Sequence, residues 1–272
     1  MSTNAQSEHI LWRHIRDLPY FRAMLRAVED SFYQDLDLPG PVLDLGSGDG
    51  HFASVAFDHP LDVGLDPWWE PLVESKQRSN YKALVCADGS SIPFPDGYFK
   101  SAVSTSVLEH IPHIQAVLDE VGRVVQPGGV FAFCVPNHRF TSLLFGVQFF
   151  QSLGLKSAAE RYGRFFNRIA RHQHLDSPEV WGERLARSGF EITRHWDYFP
   201  KESLHRLEFG HVFSLPALVS KKLTGRWVLS KSKVSLWPTY LVTRPAFNNP
   251  CSDEGVCTFY IARRKPDRSS HA

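Results

Sequence analysis

The run VLDLGSGDGHF, from Val42 to Phe52, constrains this chain more than any other stretch. A short apolar segment ends in an acid, and three glycines then follow two apart, at Gly46, Gly48 and Gly50. Glycine at such a point lets the backbone take positive φ and turn tightly out of a strand. A dinucleotide fingerprint needs GxGxxG, with its third glycine packing a helix over a pyrophosphate. Here the third glycine comes one position early, and His51 stands where the fingerprint needs glycine. The GxGxG spacing lets the backbone pass close to a bulkier group that is not a phosphate. Asp44 and Asp49 add negative charge, which repels a pyrophosphate but suits a ligand bearing an ammonium and a sulfonium.

The segments around the loop alternate in the manner of a parallel sheet. Val42–Leu45 reads as a buried strand and Gly50–Phe57 as the helix after it. Leu61–Pro67 is a second strand ending at an acid, Trp69–Lys76 a helix, and Ala83–Cys86 a third strand ending at Ala87-Asp88. Phe99–Thr105 makes the fourth strand. Ile114, Val117, Leu118, Val121, Val124 and Val125 then line one helix face, which Pro127-Gly128-Gly129 stops. Val130–Val135 is apolar without alternation, as a strand buried on both faces should be. Ser177 as N-cap and Pro178 at the first helical position open a helix that Gly189 closes. Phe190–Tyr198 and Cys257–Arg263 supply the sixth and seventh strands. The expected fold class is α/β, a doubly wound, mostly parallel seven-stranded sheet of Rossmann-like form.

Residues 1–41 read as an N-terminal helical cover, with Phe21, Met24, Leu25, Val28 and Phe32 on one stripe. Residues 42–136 form the cofactor-binding half. Two insertions, 137–174 and 199–256, leave from the carboxyl edge of the sheet, where ligands bind, and are expected to roof the site. Residues 257–272 are the last strand and a polar tail, and the whole reads as a single domain of 272 residues.

A net charge of +1 lacks the basic signature of a general nucleic-acid binder, so no nucleic-acid partner is expected. Four cysteines without a CxxC pair support neither a zinc ribbon nor a redox motif. Cys86 and Cys134 fall in apolar runs and read as small buried hydrophobes. The polar start MSTNAQSEHI lacks a signal-peptide core, and no apolar run reaches the ~20 residues of a bilayer span. The expected location is cytoplasmic, or peripheral at a membrane.

Four motifs in order resemble the class I S-adenosylmethionine-dependent methyltransferases, over residues 42–136. Asp44-Leu45-Gly46-Ser47-Gly48-Asp49-Gly50 matches the first motif. Asp66, 22 residues after Asp44 and followed by Pro67, matches the acid whose carboxylate takes both ribose hydroxyls. Ala87-Asp88-Gly89 matches the segment whose acid accepts the adenine amino group. Ile92–Phe99 and Val107-Leu108-Glu109-His110-Ile111 resemble the flanks of the fourth strand, with Ser106 beside the cofactor. Lys100 departs from the pattern, which commonly has an acid there. The resemblance implies S-adenosyl-L-methionine as cofactor and Asp44, Gly46, Ser47, Gly48, Gly50, Asp66, Pro67, Ala87, Asp88, Gly89 and Ser106 as its binding residues.

The segment after the fourth strand, STSVLEHI, lacks the NPPY-type run of enzymes that methylate nucleobase amines or side-chain amides. The expected acceptor is a small molecule, a glycan or a lipid-type compound, methylated at oxygen by in-line displacement. His110 is the candidate general base. The alternatives are C-methylation of a quinone or isoprenoid, and a regulatory module that binds cofactor without catalysis. No metal site is expected: His138, His172 and His174 have no carboxylate at ligand spacing. In the first insertion Ala158, Tyr162, Phe165, Phe166 and Ile169 form a stripe opposite Arg161, Arg164, Arg168 and Arg171. It reads as a lid helix with a solvated basic face, or as a helix contacting an anionic membrane through residues 139–171.

Overall fold

The computed structural model describes residues 4–213 and 215–266. In chain order the elements begin with α1 (Asn4–Ile15), α2 (Tyr20–Tyr33), β1 (Val42–Leu45), α3 (His51–Ala56), β2 (Leu61–Asp66), α4 (Trp69–Lys76) and β3 (Tyr81–Cys86). There follow β4 (Phe99–Thr105), a 3-10 turn at Leu108–His110, α5 (Ile114–Val124), β5 (Val125–Pro136), α6 (Phe145–Ser152) and α7 (Lys156–Ala170). The chain closes with α8 (Pro178–Arg187), β6 (Phe190–Tyr198), α9 (Lys201–Phe213), α10 (Leu215–Thr224), α11 (Lys233–Asn248) and β7 (Cys257–Arg264).

These elements divide between two compact units. One holds the sheet: Leu36–His138, Arg171–Trp196 and the segment from Cys257. Its seven strands run in the order β3-β2-β1-β4-β5-β7-β6. β1 to β5 are mutually parallel, and β7 lies antiparallel to β5. Strand order reverses between β1 and β4, so the loops after these two strands open side by side at the topological switch point. All four residues of β1 are buried, which its unbroken apolar run foretells. Leu43, Leu65, Ala102, Phe131 and Phe133 pack with Leu118 and Val121 of α5 and Trp181 and Leu185 of α8 into one core.

Three local readings change. α5 ends at Val124, and Val125 already pairs with Phe99, so the strand starts before Pro127-Gly128-Gly129 and carries an irregularity there. Val125 thus belongs to the sheet and not to the helical stripe. Cys86 sits on the edge strand β3 and is exposed, while Cys134 is buried in the interior strand β5. Ser177 has the extended backbone of an N-cap but makes no capping bond with its side chain.

The other unit takes the N-terminal segment to Asp35, Arg139–Ala170 and Asp197–Val256. The cover and most of both insertions therefore cluster together, while the expected first insertion returns to the sheet unit at Arg171. α11 packs on α1, α2 and α9, with Tyr240 stacked on Trp12 at 4.8 Å. α2 buries Met24 and Val28 as its stripe foretells, but it also buries Glu29 and Asp30. Those acids are neutralised or bonded within the unit: Asp30 meets His14 at 2.9 Å, and Glu29 meets Arg26 at 2.9 Å and the Tyr198 hydroxyl at 3.0 Å. α7 turns Ala159, Gly163 and Phe166 inward, leaving Phe165 and Ile169 of the expected stripe exposed.

Candidate functional site

All the sequence-derived cofactor residues fall in the sheet unit, Asp44 within β1, Asp66 at the end of β2 and the others on the loops after β1, β2, β3 and β4. The glycine loop is built by a backbone that only glycine takes without strain. Gly46, Gly48 and Gly50 have φ of +78°, +53° and +69°. A Cβ on Gly46 would lie 2.4 Å from Val107, in the loop after β4, and one on Gly50 would lie 2.5 Å from Ser75. One on Gly48 would meet nothing within 4 Å. The two outer glycines are there for packing, and the middle one faces open space where a ligand can approach. The Gly46 and Ser47 N–H groups bond the Leu65 carbonyl at 2.8 and 3.0 Å, which fixes the loop against β2.

Asp66 ends β2 with its side chain buried against this loop. Its Oδ2 accepts the Gly48 N–H at 3.0 Å and its Oδ1 the Trp68 N–H at 3.0 Å. Each carboxylate oxygen has a second lone pair, so the bidentate acceptance of a diol is still open to it. Pro67 follows, its carbonyl meeting the Cys86 thiol at 3.6 Å. After β3, the Ala87 N–H bonds the Asp66 carbonyl at 3.2 Å, which ties the second loop to the third. Asp88 is exposed and spends one oxygen on the turn: Oδ1 accepts the Ser90 N–H and hydroxyl at 2.8 and 2.7 Å. Those two bonds hold the Asp88 carboxyl below the usual aspartate range. Its Oδ2 has no partner among the described residues. Gly89 brings the chain close, a Cβ there lying 3.2 Å from Leu45 and Val117.

Sequence reading missed Tyr81. Its hydroxyl donates to the buried Asp44 carboxylate, and its own ionisation is pushed well up by burial and then by the charges of Asp44, Asp49 and Asp66. The tyrosine thus senses three carboxylates gathered at one sheet edge. Asp49 is partly spent, since its Oδ1 accepts the His51 N–H at the start of α3 and Arg78 lies 3.8 Å from its Oδ2. The field of such a cluster favours a cationic ligand over a pyrophosphate.

Ser106, after β4, is held at φ +50° and gives its N–H to the Cys134 carbonyl at 3.1 Å. The 3-10 turn that follows carries Glu109, buried, and His110, partly exposed. The segment Arg171–His174 lies directly against this turn. Gln173 and His174 give their N–H groups to the Glu109 carbonyl at 2.7 and 3.2 Å, and His174 Nε2 bonds the Ile111 carbonyl at 2.9 Å. His110 Nδ1 meets the Arg171 carbonyl at 3.1 Å, and the His172 ring stacks on His110 at 6.0 Å. No sequence signal linked residues 171–174 to 109–111, because that juxtaposition depends on where the first insertion returns. A cavity of about 600 Å³ also opens in this unit, lined by Gly97, Arg123, Pro127, Gly189 and Arg264. It lies at the amino edge of the sheet, away from all these groups.

A seven-stranded sheet with an acid-ringed glycine loop at its switch point defines a nucleoside-type cofactor fold. The methyltransferase-domain family model matches residues 12–195, and the chain belongs to that family. The donor that the sequence motifs of residues 44–111 imply is S-adenosylmethionine. Among curated relatives, an uncharacterized methyltransferase of Mycolicibacterium gilvum is 34% identical over 158 residues, covering 56% of this chain and 59% of that one. Another from a Mycobacterium species is 32% identical over 126 residues, covering 45% and 49%. The chain thus matches about half to three fifths of the length of these relatives. Two solved structures share the fold: a SAM-dependent methyltransferase of Thermotoga maritima (TM-score 0.55, 14% identity, 96% and 100% covered) and geranyl diphosphate C-methyltransferase of Streptomyces coelicolor (TM-score 0.54, 14% identity, 87% and 75% covered).

The residues present fit that donor. Asp66 offers a bidentate carboxylate, Asp88 an ionised oxygen for an amine, and Gly48 an open backbone face, while the acids suit an ammonium and a sulfonium. Among the described residues no helix is long and apolar enough to cross a membrane.

Proposed function

We propose that this protein transfers the methyl group of S-adenosylmethionine to an oxygen of a small-molecule or lipid-type acceptor, with His110 as general base. When bound, the cofactor supplies an electrophilic methyl on a sulfonium. This chain's own residues hold and orient that donor through the glycine loop, Asp66 and Asp88, and remove a proton from the acceptor. Much of the barrier in such an in-line displacement can be met by positioning, with the attacking atom about 3–3.5 Å from the methyl carbon.

The observation that carries the base assignment is the bond from His110 Nδ1 to the Arg171 carbonyl. A carbonyl only accepts, so Nδ1 holds the proton and Nε2 of the neutral ring keeps its lone pair. Glu109 Oε1 lies 3.7 Å from Nε2, placed to stabilise the imidazolium that proton uptake creates. Arg171 is itself held at φ +58°, a strained conformation for a residue with a side chain.

The test is incubation with isotopically labelled methyl donor and fractionated small-molecule and lipid extracts, followed by mass analysis of the product. An O-methylated product supports the reading. A C-methylated product moves the chain to the alternative chemistry, and cofactor binding without any transfer leaves a regulatory module.

A further inference from the structure

We infer that the outward face of α11, with the basic segment before it, docks this protein on an anionic lipid bilayer. The inference goes beyond the methyl-transfer reading and does not depend on which acceptor is used.

Val234, Trp237, Pro238, Leu241 and Pro245 recur at i, i+3, i+4, i+7 and i+11 along α11, so they share one face. All five are exposed, Val234 at 87% and Trp237 and Leu241 at 51% each. The opposite face, Leu236, Tyr240, Thr243 and Phe247, is buried in the unit. α11 is therefore apolar on both sides. A helix of a water-soluble surface puts charge on its outer face, and one that is apolar all round needs a second apolar environment. At 16 residues it is about 24 Å long, shorter than a span, so it fits flat in a bilayer interface.

Charge selects the occupant. From Phe209 to Ser252 the chain has six Lys and Arg and no Asp or Glu. The helical unit carries 17 Lys and Arg against 11 Asp and Glu, whereas the sheet unit carries 13 against 18. A molecule of net charge +1 has thus gathered its positive charge in the unit that shows the apolar face. Lys233 opens α11, Arg244 lies in its last turns, and Lys222 and Arg226 stand exposed just before it. Around them α10 exposes Leu218, Val219 and Leu223, and the connecting segment exposes Leu229. Apolar side chains ringed by Lys and Arg match an interfacial helix on anionic lipid, with Trp237 at headgroup level. A second copy of the same face would bring like charge. Nucleic acid would want aromatic rings to stack on bases, and most of these exposed side chains are aliphatic. The acid-free stretch lies in the second insertion, whereas in the first Glu160 stands 3.8 Å from Arg164.

Vesicle flotation of the full chain tests this, using phosphatidylcholine vesicles with and without phosphatidylglycerol. The wild type should bind only the anionic vesicles, and salt should weaken it. Changing Lys221, Lys222, Arg226 and Lys233 to Gln should weaken binding about 1000-fold, at ~1 kcal/mol per charge near the surface. The variant Val234→Ser/Trp237→Ser/Leu241→Ser should also release the vesicles, by about 100-fold or more for three apolar groups. Unchanged affinity for S-adenosylhomocysteine in both variants shows that the fold survives. Failure of the wild type to bind anionic vesicles, or equal binding by both variants, overturns the proposal. So does a labelled RNA hairpin or a dimer that depends on the same residues while vesicles are ignored.

Discussion

The carboxylate of Asp66 reaches across from β2 to the Gly48 N–H, 3.0 Å from Oδ2, and so fixes the middle of the glycine loop. The same group is positioned to take the ribose diol, which gives it two separable tasks. Asp66→Asn keeps the shape but lacks the charge and turns one acceptor into a donor. Hydrogen bonds to a charged group contribute ~1.5–3 kcal/mol each. Calorimetry with S-adenosylhomocysteine should show a loss of a few kcal/mol, with a smaller drop in melting temperature. Unchanged affinity would remove Asp66 from the cofactor site.

Gly46 and Gly48 should respond oppositely to alanine. Gly46→Ala combines left-handed strain of about 1–2 kcal/mol with overlap on Val107, which costs a further ~1–3 kcal/mol. Gly48→Ala pays only the strain. Denaturant titration should show the first variant several kcal/mol less stable, and Gly46→Ala/Val107→Ala should recover part of the loss. Gly48→Ala should instead weaken cofactor binding. Equal stability loss in both would contradict the division of roles.

The cofactor half was the more legible part of this chain because its information is local. Val42–Leu45, Trp69–Lys76 and Phe190–Tyr198 occur as their patterns foretell, with Asp66 at the end of β2 and Asp88 in the loop just after β3. What the sequence hid is non-local. Tyr81 of β3 reaches Asp44 of β1 across β2, and Arg171–His174 lies on the Glu109 turn only once the first insertion has returned. The burial of Glu29 and Asp30 is also non-local, because nothing near them in sequence names His14 or Tyr198.

Asp88 supplies a pH prediction. Its carboxyl lies below the usual aspartate value of about 3.9 because Ser90 bonds the charged form. The stability this adds is complete above that usual value and is lost as pH falls through the lower folded one. Ser90→Ala removes the hydroxyl bond and should move the Asp88 titration, read by carbon NMR of the carboxyl, upward toward the ordinary value. A titration that does not move would refute the Ser90 cause.

Glu208 holds the helical unit together from within. Its buried carboxylate accepts the Phe145 and Gly146 N–H groups at 2.6 and 2.9 Å and the Tyr162 hydroxyl at 2.6 Å. Burial, then this bond and charge, pushes the Tyr162 phenol well up, so it stays a donor. Glu208→Ala would strand two backbone donors and the phenol, at about 1–3 kcal/mol for each buried donor. Denaturant unfolding should show a loss of about 3 kcal/mol or more. A change within about 0.5 kcal/mol, ordinary for a surface substitution, would mean the clamp contributes nothing.

The central claim is that methyl transfer occurs at the glycine loop with His110 taking the acceptor's proton. It is tested most directly by comparing wild type and His110→Gln in transfer of a labelled methyl group to extract, each matched for S-adenosylhomocysteine affinity. The account predicts equal cofactor binding and transfer that is about 100-fold or more slower in the variant, the usual scale of general-base catalysis. Wild-type protein that binds cofactor yet labels nothing, or a variant that transfers at the wild-type rate, would contradict it.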